Sequence, residues 1–142
     1  MEKIREEQKK TRPAEEQEYL SAMEKAVGAF QSWLYSLAAF YRGKDDPHGH
    51  EKRLEAIASR PPSTFWEAVQ LVWLVDLALA LEERGAMAFG RMDQYLYPFY
   101  LKEINSGSMS REMTLELLCH LFAKLEEPLR LNPINNFALA GL

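Results

Sequence analysis

Apolar side chains along this chain recur mostly at helical spacing, and the longest such stretch lies between residues 20 and 41. Steps of three and four alternate there, which predicts one face of a long helix that begins near Pro13 and ends at Gly43. The face consists of Leu20, Met23, Val27, Phe30, Leu34, Leu37 and Tyr41, and it is widened by Tyr19, Ala26, Trp33 and Phe40. A stripe this broad favours packing against a core over a two-stranded coiled coil.

Polar segments flank this helix on both sides. Residues 1–18 predict a charged helical lead-in, which we expect to fray over its first dozen residues, and residues 19–142 predict the folded domain. On the other side, a solvated loop leads into a short helix from His50 to Ser59, which Pro61-Pro62 stops.

The stretch from Phe65 to about Glu83 is apolar on nearly every side. Thr64 and Glu67 predict a capping box at its start: the threonine oxygen accepts from the Glu67 N–H, and the Glu67 side chain reaches back. Such a helix is stable only where protein surrounds it, and the other predicted helices have their own stripes to bury. We therefore expect that protein beyond this chain helps to enclose it.

Shorter elements follow the apolar helix. Residues 86–91 predict an extended segment, and Asp93 or Tyr97 is expected to cap a helix that has Pro98 in its first turn and stops at Gly107. Ser110 caps the last helix, whose predicted inward residues are Met113, Leu117, Leu118, Leu121, Phe122 and Leu125. Residues 133–142 alternate weakly and predict a strand with an unpaired edge. The expected fold is mainly α, with at most one or two short strands.

The composition narrows the classes of protein. The chain has 142 residues, of which 47% are hydrophobic and 27% charged, so it fits one soluble globular domain. The net charge of -4, with no basic half, argues against a nucleic-acid partner. A single cysteine, a charged N-terminus and no apolar run of about 20 residues predict a cytoplasmic protein without a signal peptide or membrane span.

The histidines and the cysteine give no catalytic or metal-binding pattern. His48, His50 and His120 lack metal-ligand spacing, which favours solvated histidines over a metal site. Cys119 lies mid-helix among leucines, where a cysteine behaves as a small buried hydrophobe rather than a nucleophile. We expect no metal and no catalytic residue from these positions.

Two polar features of the sequence are expected to form ion pairs or hydrogen bonds with other parts of the chain. Asp76 lies within the apolar helix, where an unpaired charge costs several kcal/mol, so we expect it to pair with an arginine or a backbone donor. The turn Gly90-Arg91-Met92-Asp93-Gln94-Tyr95 has no phosphate-loop pattern. We interpret Arg91 and Asp93 as ties between this turn and neighbouring elements, in preference to a substrate site.

Two motifs closely resemble the pyruvate formate-lyase-like domain of the glycyl radical enzymes. The first is Pro61-Pro62-Ser63-Thr64-Phe65-Trp66-Glu67-Ala68, and the second runs from Gly90-Arg91-Met92-Asp93-Gln94-Tyr95 to Tyr97-Pro98-Phe99-Tyr100. Lys124-Leu125-Glu126 and Asn136-Phe137-Ala138-Leu139-Ala140-Gly141 resemble later segments of that family more weakly. The resemblance extends from about Tyr19 to Leu142.

The resemblance implies a helical fragment of a ten-stranded α/β barrel. In that family a radical glycine and a thiyl cysteine meet inside the barrel. A separate activating enzyme, with an iron–sulfur cluster and S-adenosylmethionine, installs the glycyl radical under anaerobic conditions. Radical transfer to the cysteine allows hydrogen abstraction from the substrate, which gives C–C cleavage, dehydration or C–N cleavage according to subfamily. The family includes lyases and formate acetyltransferase-like transferases.

The sequence departs from the family pattern in the residues that carry this chemistry. It contains no Gly-Cys-x-Glu motif and no Arg-Val-x-Gly-Tyr loop, and Ala86 and Ala88 stand where many relatives have serines. The resemblance makes Asn135 and Asn136 the substrate-side candidates.

Two functions follow from these observations. The first is a partial radical enzyme, inactive alone, whose partner is a complementing chain with the cysteine and glycine loops. The alternative is a helical binding or scaffold module that docks on a partner chain or self-associates through exposed apolar surface.

Overall fold

The computed structural model describes residues 1–82, 86–125 and 134–138. Among these residues the chain forms six helices and two short strands, which confirms the mainly α prediction. The elements are α1 (Glu2–Gln8), α2 (Ala14–Tyr41), α3 (His50–Ser59), α4 (Phe65–Leu81), β1 (Ala86–Arg91), α5 (Met92–Ser106), α6 (Arg111–Leu125) and β2 (Ile134–Ala138). They fall into two compact units, residues 1–61 and 62–142.

In the first unit, α1 folds back along α2 and is held there by polar contacts. The Gln17 amide donates to the carbonyls of Gln8 (3.2 Å) and Lys10 (3.0 Å) and so satisfies the end of α1. Arg5 pairs with Glu24 at 2.8 Å. The lead-in therefore contains a helix that packs against α2, and the expected fraying is wrong. The predicted division between residues 1–18 and 19–142 stays a prediction.

The core of the first unit lies between α2 and α3. Leu34 and Ala38 of α2 are buried together with Leu54, Ile57 and Ala58 of α3, whose bounds agree with the prediction. The side chain of Gln31 donates to the carbonyl of Ala58 at 2.8 Å. The predicted stripe is too wide, because Tyr19 and Phe40 are 66% and 63% exposed.

In the second unit, α5 and α6 each pack against α4. The core cluster consists of Phe65, Ala68, Val69, Phe89, Met92, Leu96, Met109, Leu121 and Leu125. Much of the remaining apolar surface of α4 is only half-buried, and Leu81 at its end is exposed. Within the described residues, α4 is therefore incompletely enclosed, as the sequence predicts.

The backbone groups at the start of α4 find hydrogen-bond partners both within the cap itself and on α5. The Thr64 hydroxyl accepts from the Glu67 N–H at 3.1 Å, which confirms the cap, and the Glu67 carboxylate accepts from the Ser63 N–H at 2.7 Å. The carboxylate of Glu103, on α5, accepts from the Phe65 N–H at 2.8 Å. Lys102 donates to the Ser63 carbonyl at 3.1 Å, so the last part of α5 holds the first turn of α4.

Two predicted details of the later helices are wrong. Helix α5 begins at Met92, and Pro98 lies inside it. The buried Met92 and Leu96 anchor the extra first turn, although Pro98 cannot donate to the Gln94 carbonyl. In α6, Met113 is 46% exposed and Thr114 is buried instead.

The cap of α6 and the burial of Thr114 have local causes. Ser110 accepts from the Met113 N–H at 3.2 Å, as predicted for the cap. The Thr114 hydroxyl donates to the Ser110 carbonyl at 2.9 Å. Because its hydroxyl is satisfied in this way, Thr114 can face the protein at low cost.

The two strands form a parallel pair, which the sequence pattern did not indicate. Ala86, Met87 and Ala88 lie opposite Ile134, Asn135 and Asn136, and Gly90 and Arg91 lie opposite Phe137 and Ala138. Phe89 is the extra residue of a bulge and is buried in the core cluster. No helix in the described part of the chain is long and apolar enough to cross a membrane.

Candidate functional site

The candidate site is the end of β1 and the turn into α5, alongside β2. Gly90 adopts φ 64°, a left-handed conformation that favours glycine, and it directly follows the bulge at Phe89. The chain passes directly from β1 into α5 between the buried Phe89 and the buried Met92. This geometry explains why a glycine stands at this position of the turn.

Arg91 and Asp93 pair with each other across the turn. Arg91 Nε lies 3.0 Å from Asp93 Oδ1, and Arg91 Nη2 lies 2.8 Å from Asp93 Oδ2. The hydrogen bond from Arg91 holds the pKa of Asp93 below its usual value, and the same pair raises the pKa of Arg91. The pair is partly exposed, so it fixes the shape of the turn and adds little to stability.

Gln94 and Tyr95 complete the turn in the first part of α5. Gln94 is exposed, and Tyr95 is partly exposed, with a pKa raised by partial burial. Tyr95 lines an apolar cavity of about 370 Å³ between α4, β1 and α5. The cavity is also lined by Pro62, Ala68, Leu71, Val72, Val75, Met87, Ala88, Phe89, Leu96 and Phe99.

The substrate-side candidates lie on β2, next to the strand that leads into the turn. Asn135 lies opposite Met87, which packs against the core, and Asn136 lies opposite Ala88, which is exposed. The structure thus brings both asparagines to the same strand pair as Gly90 and Arg91. Their role in substrate binding stays a prediction.

The other predicted motif residues lie away from this turn. Thr64 and Glu67 cap α4, as described above. Asp76 is 2% exposed within α4 and has an interaction partner, and its pairing with an arginine or a backbone donor stays a prediction. These three residues are architectural, and none joins the turn at Gly90.

Cys119 is exposed on α6, so the expectation of a buried cysteine is wrong. The face of α6 that packs inward carries Thr114, Leu121 and Leu125 instead. His120 beside it is also exposed, 3.8 Å from Glu116. Within the described residues, no group of three or more His, Cys, Asp or Glu side chains could hold a metal ion.

Sequence reasoning missed Glu103, which joins α5 to the start of α4. A carboxylate in the last turn of a helix is disfavoured by the helix dipole, so its presence there was a signal of a tertiary contact. It also missed the bulge at Phe89, which is visible only once β2 is paired.

A groove lies between α5 and α6, with Phe65 of α4 among its lining residues; we call it the α5–α6 groove. It has a volume of about 370 Å³. Its other lining residues are Met92, Asp93, Leu96, Tyr97, Tyr100, Thr114, Leu118 and Phe122. The groove is almost wholly apolar, which suits contact with another protein segment better than catalysis.

Comparisons with known proteins agree on one family. Residues 1–140 match the family model described as pyruvate formate lyase-like. The chain is 38% identical over 86 residues to the probable dehydratase YbiW of Escherichia coli, covering 59% of this chain and 11% of that protein. It is 37% identical over 90 residues to the 4-hydroxyphenylacetate decarboxylase glycyl radical subunit of Clostridioides difficile, covering 63% and 9%.

Two further comparisons extend this agreement. The chain is 41% identical over 64 residues to an isethionate sulfite-lyase of Oleidesulfovibrio alaskensis, covering 44% of this chain and 8% of that protein. The crystal structure of a glycyl radical enzyme from Archaeoglobus fulgidus matches 89% of this chain and 16% of its own, with a TM-score of 0.55 and 29% identity. The matched part spans about a tenth of the length of these curated relatives.

Proposed function

Because the chain belongs to the pyruvate formate lyase-like family, we propose that it is one segment of a glycyl radical enzyme. In this proposal it acts together with polypeptide that carries the thiyl cysteine and the radical glycine. The observation that carries the proposal is the family match over residues 1–140 in a sequence whose single cysteine is exposed on a helix. The segment then supplies structure around the site, and the radical residues come from elsewhere.

The exposure of Cys119 is the chemical argument for this division. A thiyl radical that abstracts hydrogen from substrate must meet it in an enclosed site, where water and side reactions are excluded. Cys119 lies on the exposed side of α6 and is not part of the strand pair or the turn. The position of Cys119 outside the strand pair and the turn supports assigning the thiyl role to other polypeptide, and no radical step is assigned to this chain.

The strand pair is the part of this chain that we place beside the substrate. Asn135 and Asn136 are the candidates for a substrate contact, and they lie opposite Met87 and Ala88 in the strand pair. An asparagine offers both a donor and an acceptor, which suits a polar substrate. The Arg91–Asp93 pair and Gly90 hold the strand end in place.

The reaction class is a radical lyase. The relatives named above include a dehydratase, a decarboxylase and a sulfite-lyase, and each of these reactions breaks a bond to a carbon atom. Their different substrates leave the substrate of this protein open within that class. A transferase reaction is the alternative to the lyase reaction within this proposal, and the proposed setting is cytoplasmic and anaerobic.

Co-purification with a loop-carrying polypeptide tests the proposal. A polypeptide that carries both the cysteine loop and the glycine loop, encoded by a neighbouring reading frame, is co-expressed with this chain. The expected result is a stable complex of the two on size-exclusion chromatography. Replacing Phe122 in the α5–α6 groove by Asp should weaken the complex, whereas Leu115→Asp on the exposed side of α6 should not. Separate elution of two folded chains would contradict the proposal.

The second candidate is a helical binding module, which the α5–α6 groove favours. A groove of about 370 Å³ lined by Tyr97, Tyr100 and Phe122 is a surface on which an apolar helix of a partner could pack. The neighbouring coding sequence separates the two candidates. Unrelated neighbours without the cysteine and glycine loops would favour the binding module.

A further inference from the structure

We propose that the corner between α2 and α3 is an acid-sensitive joint, in which protonation of His50 loosens α3 from α2. The corner consists of the end of α2, the loop at residues 42–49 and the first turn of α3. It lies within the first compact unit and is independent of the proposed radical chemistry.

Two histidines and an aspartate meet at this corner. The ring of His50 lies 5.0 Å from the ring of Tyr41, at the end of α2, and 5.7 Å from the ring of His48. The Asp46 carboxylate accepts from the Glu51 N–H at 2.9 Å and so caps the first turn of α3. His50 therefore brings a titratable ring from the first turn of α3 against the end of α2, beside the Arg42–Glu51 ion pair.

Positive charge on His50 is disfavoured by its surroundings. Burial of the ring lowers the pKa of His50 from 6.5, and the nearby positive charges of Arg53 and of protonated His48 act in the same direction. Asp46 opposes them: its Oδ2 accepts from the Glu51 N–H, and its buried Oδ1 has no hydrogen-bond partner among the described residues, but burial of the ring is the larger influence. Of the other charged groups of the corner, Arg42 pairs with Glu51 and Glu55, and the Lys44 ammonium lies 3.0 Å from the Phe40 ring centroid. Asp45 and Lys52 are exposed.

The sign of the pH dependence follows from the lowered pKa. An opened corner exposes His50, which then takes up a proton near pH 6.5, whereas the closed corner resists protonation. Stability is therefore complete above pH 6.5 and decreases as the pH falls below that value. Because ordinary carboxylates titrate near pH 4, the range from pH 7.5 to 5.5 separates protonation of histidine from protonation of carboxylates.

Hydrogen exchange of the full 142-residue chain tests the joint. Between pH 7.5 and 5.5, after correction for intrinsic exchange rates, we expect the protection of the α3 amides to fall several-fold, up to about tenfold. The amides of α4 should change less, since that helix belongs to the other unit. Equal protection of α3 at both pH values would overturn the proposal.

Two variants and one titration complete the test. His50→Phe keeps a ring beside Tyr41 and should abolish the pH response of α3, whereas the exposed His120→Asn should retain it. A response of the same size in His50→Phe would contradict the proposal. If that variant does not fold, the NMR titration of the unmodified chain decides: the midpoint of His50 should lie below 6.5, and a midpoint at or above 6.5 would refute the joint.

Discussion

At the scale of single residues, Glu103 shows what local patterns leave out. The capping box of Thr64 and Glu67 was predicted because both residues lie within one turn of the helix they cap. Glu103 caps the same helix from 38 residues away, and only the packing of α5 brings it there. Sequence spacing therefore predicted the local half of this cap and could not predict the distant half.

Glu103→Ala should destabilise the second unit by about 1–3 kcal/mol, because it leaves the Phe65 N–H without its charged acceptor. Glu103→Gln, which keeps an acceptor oxygen, should lose less. Chemical denaturation measures both, and Glu116→Ala, whose carboxylate is exposed on α6, serves as the control. Equal stability of Glu103→Ala and Glu116→Ala would show that the contact is not significant.

Trp73 tests the placement of the apolar helix. Its side chain packs against the core cluster, and the Lys124 ammonium lies 6.0 Å from its ring centroid. Trp73→Asp brings a charge into this surface at a cost of several kcal/mol, so we expect loss of cooperative folding of the second unit. Leu81→Asp, at an exposed position, should remain folded. Unchanged thermal unfolding of the Trp73 variant would refute the placement.

At the scale of elements, the type of each helix was predicted better than its ends. The bounds of α3 follow from a loop before it and a proline pair after it, so they agree with the prediction. The start of α5 was predicted too late, because Pro98 is typical of a first turn but lies here inside the helix. Burial of Met92 and Leu96 stabilises the earlier first turn of α5, and no local sequence pattern predicts that burial.

The strand pair marks a second limit at this scale. The small residues of 86–91 predicted an extended segment, and the weak alternation near residue 134 predicted another. Their parallel pairing joins segments that are far apart in sequence. Pairing of this kind depends on long-range contacts and cannot be derived from the period of one strand.

Two glycine substitutions with opposite expected signs test the turn at the end of β1. Gly90→Ala places a side chain at φ 64° with open space around it, so it should destabilise the protein by about 1–2 kcal/mol through backbone strain alone. Gly28→Ala, inside α2, should stabilise its unit by about 0.5–1 kcal/mol, since its nearest contact is 3.9 Å away. Thermal unfolding of both variants checks the signs, and a stabilising Gly90→Ala would contradict the described turn.

At the scale of the whole molecule, two motifs in which most positions match the family pattern identified the family from the sequence. Gly90 to Tyr100 and Pro61 to Ala68 lie on the turn, on α5 and at the start of α4, where backbone geometry and capping restrict the residue types. The substrate cannot be derived in the same way. Substrate contacts depend on side chains brought together across the whole enzyme, and the matched part spans only 8–11% of the curated relatives.

The incomplete enclosure of α4 and the α5–α6 groove fit a segment that works within a larger assembly. Half-buried apolar side chains along α4 and an apolar groove of about 370 Å³ leave surface that further polypeptide would cover.

We propose that the glycyl radical forms only on polypeptide that joins this chain. Electron paramagnetic resonance tests it most directly, under anaerobic conditions with an activating enzyme and S-adenosylmethionine. We predict a glycyl radical signal from the complex with the loop-carrying polypeptide and none from the 142-residue chain alone. A glycyl radical signal from the chain alone would contradict the account.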